Sequence, residues 1–221
     1  MLIHADLSAP AFVDSNRLDW VPSPVGGIER RMLERDGGEV ARATSLVRYA
    51  PGSAFNPHRH DAGEEFFVLE GVFSDETGDF PRGYYVRNAP GSQHRPASAP
   101  GAVIFVKLRQ MPAAETVSIR LDTRDPALWQ DMPHGRSRAM LFSAPWEDVD
   151  LWRLPPGDSA MVEMYPGGVE LFVIEGAISE SGQECPAGSW LRRPAGAVVD
   201  LSSQAGALIY RKTGHLPLAV G

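Results

Sequence analysis

The sequence predicts an all-β protein made of two tandem jelly-roll β-barrels, and three observations carry that expectation. Glycine (22 residues) and proline (19 residues) punctuate short segments of alternating apolar positions, a pattern suited to strands and tight turns rather than long helices. The chain also repeats itself: a shift of 105 positions superimposes its second half on its first without a gap across the best-matched region. A repeat of that length, with glycines at the turns, means two copies of one domain rather than a solenoid of short units. Finally, 221 residues suit either one large domain or two ordinary ones, and the repeat decides for two.

Taken in order, residues 1–25 read as an irregular N-terminal arm, kept extended by Pro22 and Pro24. Residues 26–112 form the first barrel. It opens with MLERDGGEVARATSLVRYAPG, a hairpin turning at Asp36-Gly37-Gly38. Residues 113–133 read as a linker, because RLDTRDPALWQDMPHG has no counterpart at the 105-residue offset. Residues 134–221 form the second barrel, which echoes Met32-Leu33 at Met140-Leu141 with a three-residue shift. Within the repeat, Pro51-Gly52 falls on Pro156-Gly157 and EFFVLEG (Glu65–Gly71) on ELFVIEG (Glu170–Gly176). Gly91 falls on Gly196, and GAVIFVK (Gly101–Lys107) on GALIYRK (Gly206–Lys212).

The chemistry is concentrated in GSAFNPHRHDAGEEFFVLEG, Gly52 to Gly71. Side chains at i and i+2 of a strand share a face, so His58 and His60 can aim into one cavity. Glu64 and the later His94 complete three imidazoles and one carboxylate, a nitrogen–oxygen set suited to a first-row transition metal. The spacing G-x5-H-x-H-x3-E-x6-G on Gly52, His58, His60, Glu64 and Gly71 resembles the first signature of the cupin barrel. The second signature runs from Gly83 to Ser98 through Gly91 and His94, with Ala89 at its usual proline and Ser98 at its usual asparagine. Neither departure removes a ligand.

In the second copy, His58, His60, Glu64 and His94 become Glu163, Tyr165, Val169 and Val199, while the turn glycines persist. The second barrel is therefore expected to lack the metal ligands. The same comparison separates two adjacent carboxylates. Glu65 has a counterpart in Glu170 and is assigned to the scaffold, whereas Glu64 disappears with the histidines and is assigned as the ligand. Arg87 and Lys107 persist as Arg192 and Lys212 and are likewise scaffold. Phe55, Asn56, Tyr84 and Arg95 occur in the first copy alone and are candidates for a pocket beside the metal.

Composition narrows the function classes. A net charge of −7 without a basic stretch argues against nucleic-acid binding. No apolar run approaches the ~20 residues needed to span a bilayer. The N-terminus has no basic region followed by an apolar core. The single Cys185 can form no internal disulfide, and its default reading is an incidental thiol; a cytoplasmic, reducing location is expected.

The segment HRHDAGEEFFVLEGVFSDETGDFPRGYYVRNAPGSQH, with FVKLRQ at 105–110, resembles more narrowly the ChrR-type cupin-like domain, over about Trp20 to Gln110 directly and beyond through the repeat. The resemblance implies one divalent transition metal on His58, His60, Glu64 and His94, zinc foremost, with iron, manganese or nickel also suited. ChrR anti-sigma proteins carry a separate helical module with a His-x3-Cys-x2-Cys motif. Here His4 stands without cysteines, so a complete anti-sigma factor and sigma-factor binding are not expected. Two function classes remain open: a sensing or regulatory cupin whose cavity takes a small-molecule ligand, and a metal-dependent dioxygenase of a small diketone or hydroxyketone. A homodimer that buries open sheet edges is also expected.

Overall fold

The structure, a computed structural model, describes residues 1–216. It is all-β, without an α-helix among the described residues, and consists of two compact units. In the first unit one antiparallel sheet runs in the order Leu2–Ile3, Ile28–Gly37, Ala41–Tyr49, Ala102–Leu108, Glu64–Asp75, Tyr84–Asn88, Ile119–Asp122. A two-stranded ladder, His58–His60 with Ser92–His94, stands apart from that sheet. The expected hairpin is present, but it turns at residues 38–40, because Asp36 and Gly37 still pair with Arg42 and Ala41. Side chains such as Phe66, Val68, Phe73, Val86 and Ile104 fill the interior.

The second unit repeats this order: Trp129–Asp131, Ser137–Ala144, Glu147–Tyr165, Ala197–Thr213, Val169–Glu180, Ser189–Arg193, Ala11–Asp14. Its core packs Trp152, Leu171, Val173, Ile178, Leu191 and Ile209. Matching turns need matching glycines. Gly71 and Gly176 have φ of +69° and +70°, and a Cβ on either would lie 1.9 Å from the carbonyl oxygen of Gly101 or Gly206. No other residue fits there.

Two segments differ from the sequence expectation. The arm at 1–25 is not irregular. Its residues Ala11–Asp14 pair with Ser189–Arg192 as the last strand of the second unit, and Ser15 donates its backbone N–H to Gly188 O. The linker at 113–133 contains Ile119–Asp122, which pairs with Tyr84–Arg87 as the last strand of the first unit, and Thr123 donates to Gly83 O. Among the described residues the units accordingly comprise residues 18–124 with 1–5, and residues 6–17 with 125–216. These two strands are themselves repeats, offset by 108 residues: Val13-Asp14-Ser15 corresponds to Leu121-Asp122-Thr123. In each, the Asp carboxylate accepts the N–H two residues on, from Asn16 or Arg124. Each repeat thus sends its first strand to the sheet of the other.

The scaffold assignments have a physical basis. Arg87, Glu65 and Lys107 lie abreast on three neighbouring strands, as do Arg192, Glu170 and Lys212. Glu65 is buried and accepts hydrogen bonds from Arg87 Nη1 (3.0 Å) and the Tyr85 hydroxyl (2.7 Å). Lys107 Nζ donates to Thr44 Oγ1 at 2.9 Å. Buried charges persist only with such partners.

Candidate metal centre

Strand register brings the three histidines together. His58 and His60 share one face of their strand, and His94 lies directly opposite His58 on the paired strand. The ring centroids are 4.7 Å (His58–His60), 5.2 Å (His58–His94) and 4.9 Å (His60–His94) apart. Their potential ligand atoms all lie within 4.8 Å of one another, so the group can hold a divalent metal ion. Glu64 enters from the adjacent central strand after the turn at Asp61–Gly63. Its Oε2 lies 3.5 Å from His60 Nε2 and 3.4 Å from His94 Nε2.

The hydrogen bonds around the cluster leave metal-binding lone pairs facing inward. His94 Nδ1 contacts Asp75 Oδ2 at 3.2 Å, and His58 Nδ1 contacts the Asn56 carbonyl at 2.9 Å. A carboxylate and a carbonyl only accept, so each Nδ1 carries the proton and each Nε2 is free in the neutral ring. His60 Nε2 and His94 Nε2 stand 2.9 Å apart. Two facing lone pairs at that distance repel unless a proton or a cation lies between them, with Glu64 beside them to balance a positive charge. The donor set therefore fits a divalent metal.

The electrostatics follow. Burial lowers the His60 imidazole, opposed by Glu64 and reinforced by the other two histidines. Burial would also lower His94, but the Asp75 hydrogen bond and the charges of Glu64, Asp75 and Glu76 outweigh it and raise the ring. Burial would raise Asp75, yet hydrogen bonds from His94 and Thr77 hold it at about 2. Asp75 is thus a permanent anion behind His94.

A cleft of about 520 Å³ opens onto His58 and His94, with Arg59, Glu76, Thr77 and Gln93 on its walls. Of the pocket candidates, the Phe55 ring lies 5.5 Å from His58, and Asn56 contributes its carbonyl. Tyr84 instead packs against Phe80 and the core, and Arg95 is exposed, with its backbone N–H donating to Glu76. Sequence reasoning missed Asp75, Asn88 and Arg120. Asn88 donates to Glu64 Oε2 at 2.9 Å and accepts from Arg120 at 2.6 Å. Asn88 becomes Arg193 in the second copy, so the repeat comparison could have found it; Asp75 becomes Glu180 and is hidden by its own likeness.

At the equivalent place in the second unit, Tyr165, Val169 and Val199 belong to the hydrophobic core. Glu163 accepts a hydrogen bond from the Tyr165 hydroxyl at 2.6 Å.

The description of the ChrR cupin-like domain matches the chain twice, over residues 8–112 and 118–217. The chain belongs to the ChrR cupin-like family. Each match of this family begins with the strand that the structure places in the other unit. Among curated proteins no relative matches the chain. Solved structures share the two-barrel fold. A protein from Nostoc punctiforme aligns with a TM-score of 0.74 at 16% identity, covering 96% of this chain and 86% of its own. A bacterial pirin from Escherichia coli, in complex with nickel(II), gives 0.70 at 13%, covering 93% and 98%. Salicylate 1,2-dioxygenase from Pseudoaminobacter salicylatoxidans, solved with gentisate, gives 0.65 at 15%, covering 95% and 82%. At these identities the likeness is one of fold.

Proposed function

We propose that the first barrel binds one divalent transition metal through His58, His60, His94 and Glu64, and that the protein is a sensing or regulatory cupin. Its signal would be a small ligand or oxidant that reaches the ion through the cleft above it. The observation that carries this reading is the convergence of three imidazoles with a buried carboxylate beside an open cleft that His58 and His94 line. Apart from the proposed ligands His58 and His94, the carboxylate on the cleft wall is Glu76. It is held below the usual range by the Arg95 backbone N–H, away from what general-base catalysis needs.

A second reading is a metal-dependent dioxygenase of a small diketone or hydroxyketone. The open cleft favours it, because a chelating substrate could reach the ion directly. The metal would supply Lewis acidity and oxygen handling, while Glu64 and the histidines hold it and Phe55 flanks the approach.

Metal analysis of protein purified without added metal tests the site: about one ion per chain is expected. Two ions per chain, or an ion among Glu163, Tyr165, Val169 and Val199, would refute it. Oxygen uptake by the iron(II)-loaded protein with small β-diketones and hydroxyketones then separates the readings. Tightly held zinc without turnover supports the sensor, and iron with substrate-dependent uptake supports the enzyme.

A further inference from the structure

Glu64 is 6% exposed, and a buried carboxylate keeps one orientation only if its oxygens are anchored. Asn88, its direct partner across the sheet, supplies the anchor by donating Nδ2–H to Oε2 at 2.9 Å. The orientation of that amide is itself imposed. Asn88 Oδ1 accepts from Arg120 Nη2 at 2.6 Å, and because a guanidinium can only donate, the amide must turn its NH2 toward Glu64. Arg120 is fixed in turn by main-chain acceptors: its Nη1 donates to Arg87 O at 3.0 Å and Ile119 O at 2.9 Å.

The sister barrel supplies an internal control. Its residues at these places are Val169 for Glu64, Arg193 for Asn88 and Phe12 for Arg120, the last facing Leu191 as Arg120 faces Val86. The whole relay is replaced where the ligands are replaced. Arg120 also lies within the second family match, on the strand that this repeat contributes to the first sheet.

We infer that Arg120 and Asn88 are positioning residues for the Glu64 carboxylate, so that the metal site of the first repeat is completed by a strand the second repeat supplies. The inference rests on the metal-site reading above. It is tested by titrating cobalt(II) into the metal-stripped full chain and following its visible absorption. Arg120→Met and Asn88→Ala should each weaken cobalt binding about 10- to 100-fold and alter the spectrum. In a Glu64→Gln background the same changes should have little further effect, since the group they position is gone. If Arg120→Met does not fold by circular dichroism, Asn88→Ala, which leaves the strand pairing intact, carries the test. Wild-type affinity in a folded variant, or an equal loss in the Glu64→Gln background, would overturn the relay while leaving the metal site standing. A wild-type chain that binds no cobalt would remove both.

Discussion

Deleting residues 1–17 should collapse the second barrel and spare the first, although these residues precede the first in sequence. The deletion removes the strand Ala11–Asp14 from its partner Ser189–Arg192. Val13 is 9% exposed and Phe12 packs against the second core; burial of each is worth about 1.5–3 kcal/mol. The deletion also strips acceptors from one buried and one half-buried arginine. Arg192, 1% exposed, donates to Asp6 O at 2.7 Å, and Arg193 donates to Ala11 O at 2.9 Å. A buried donor that loses its acceptor costs about 1–3 kcal/mol, more when charged. The total is at least about 5 kcal/mol, comparable to the whole stability of an ordinary domain. In the first unit the deletion takes the short edge pair Leu2–Ile3 and the exposed hydrogen bonds between Met1 and Gly37. Tryptophan fluorescence reads the outcome, because Trp129, Trp146, Trp152 and Trp190 lie in the second unit and Trp20 alone in the first. The urea midpoint followed by fluorescence should fall sharply or the transition vanish, while cobalt binding persists. An unchanged midpoint would refute the strand exchange.

Three further outcomes follow from the site and the cores. Glu64→Gln should lower metal retention, whereas Glu65→Gln should keep the metal but cost about 3–5 kcal/mol, because Arg87 loses a buried anion; equal metal loss in both would contradict the assignment. Metal affinity should fall as pH drops, by about tenfold per unit for each proton displaced. The raised His94 keeps its proton to higher pH than an ordinary imidazole, so the fall should begin early, and Asp75→Asn should move its onset to lower pH; competition titrations at stepped pH would show no such shift if Asp75 were idle. Burial pushes the Cys185 thiol up to about 11, so it should resist a thiol reagent at neutral pH until the second barrel unfolds; rapid labelling of native protein would contradict that burial.

How much was legible in the sequence depends on the range of each feature. The three histidines and Glu64 could be read because strand period and turn glycines encode their convergence locally. The destination of the first strands could not. Neighbouring segments in sequence usually pair in space, and here Ala11–Asp14 and Ile119–Asp122 each join the sheet of the other repeat. A single 105-residue offset also concealed their kinship. The first repeat has three more residues between Leu33 and Pro51 than the second has between Leu141 and Pro156, so everything upstream matches at 108. That upstream match includes Asp14 with Asp122, whose shared side-chain turn marks the end of each exchanged strand. Arg120 fell inside the segment read as linker, so its link to Glu64 through Asn88 was invisible without the fold.

The second barrel shows why four ligands could be lost together without loss of the fold. Where the first barrel has Ser45 and Val106, the second has Asp150 and Arg211. Arg211 donates to Asp150 at 2.9 Å through Nε and 2.7 Å through Nη2, stands 4.0 Å over the Trp152 ring, and reaches Glu163 at 3.5 Å. Arg138 adds a third hydrogen bond to Asp150 at 2.6 Å. Burial works against the Arg211 charge, but the hydrogen bond and charge of Asp150 outweigh it and raise its pKa. A buried carboxylate needs a countercharge in either barrel. The second barrel carries its cation on the chain, fixed and already neutralised, so Tyr165, Val169 and Val199 are free to pack as core. In the proposed first site the cation comes from solution, and mass action then makes that barrel's stability depend on metal concentration. An ion that both stabilises one barrel and stays open to a ligand is what a sensing site requires; the paired Arg211 serves the first purpose and forecloses the second.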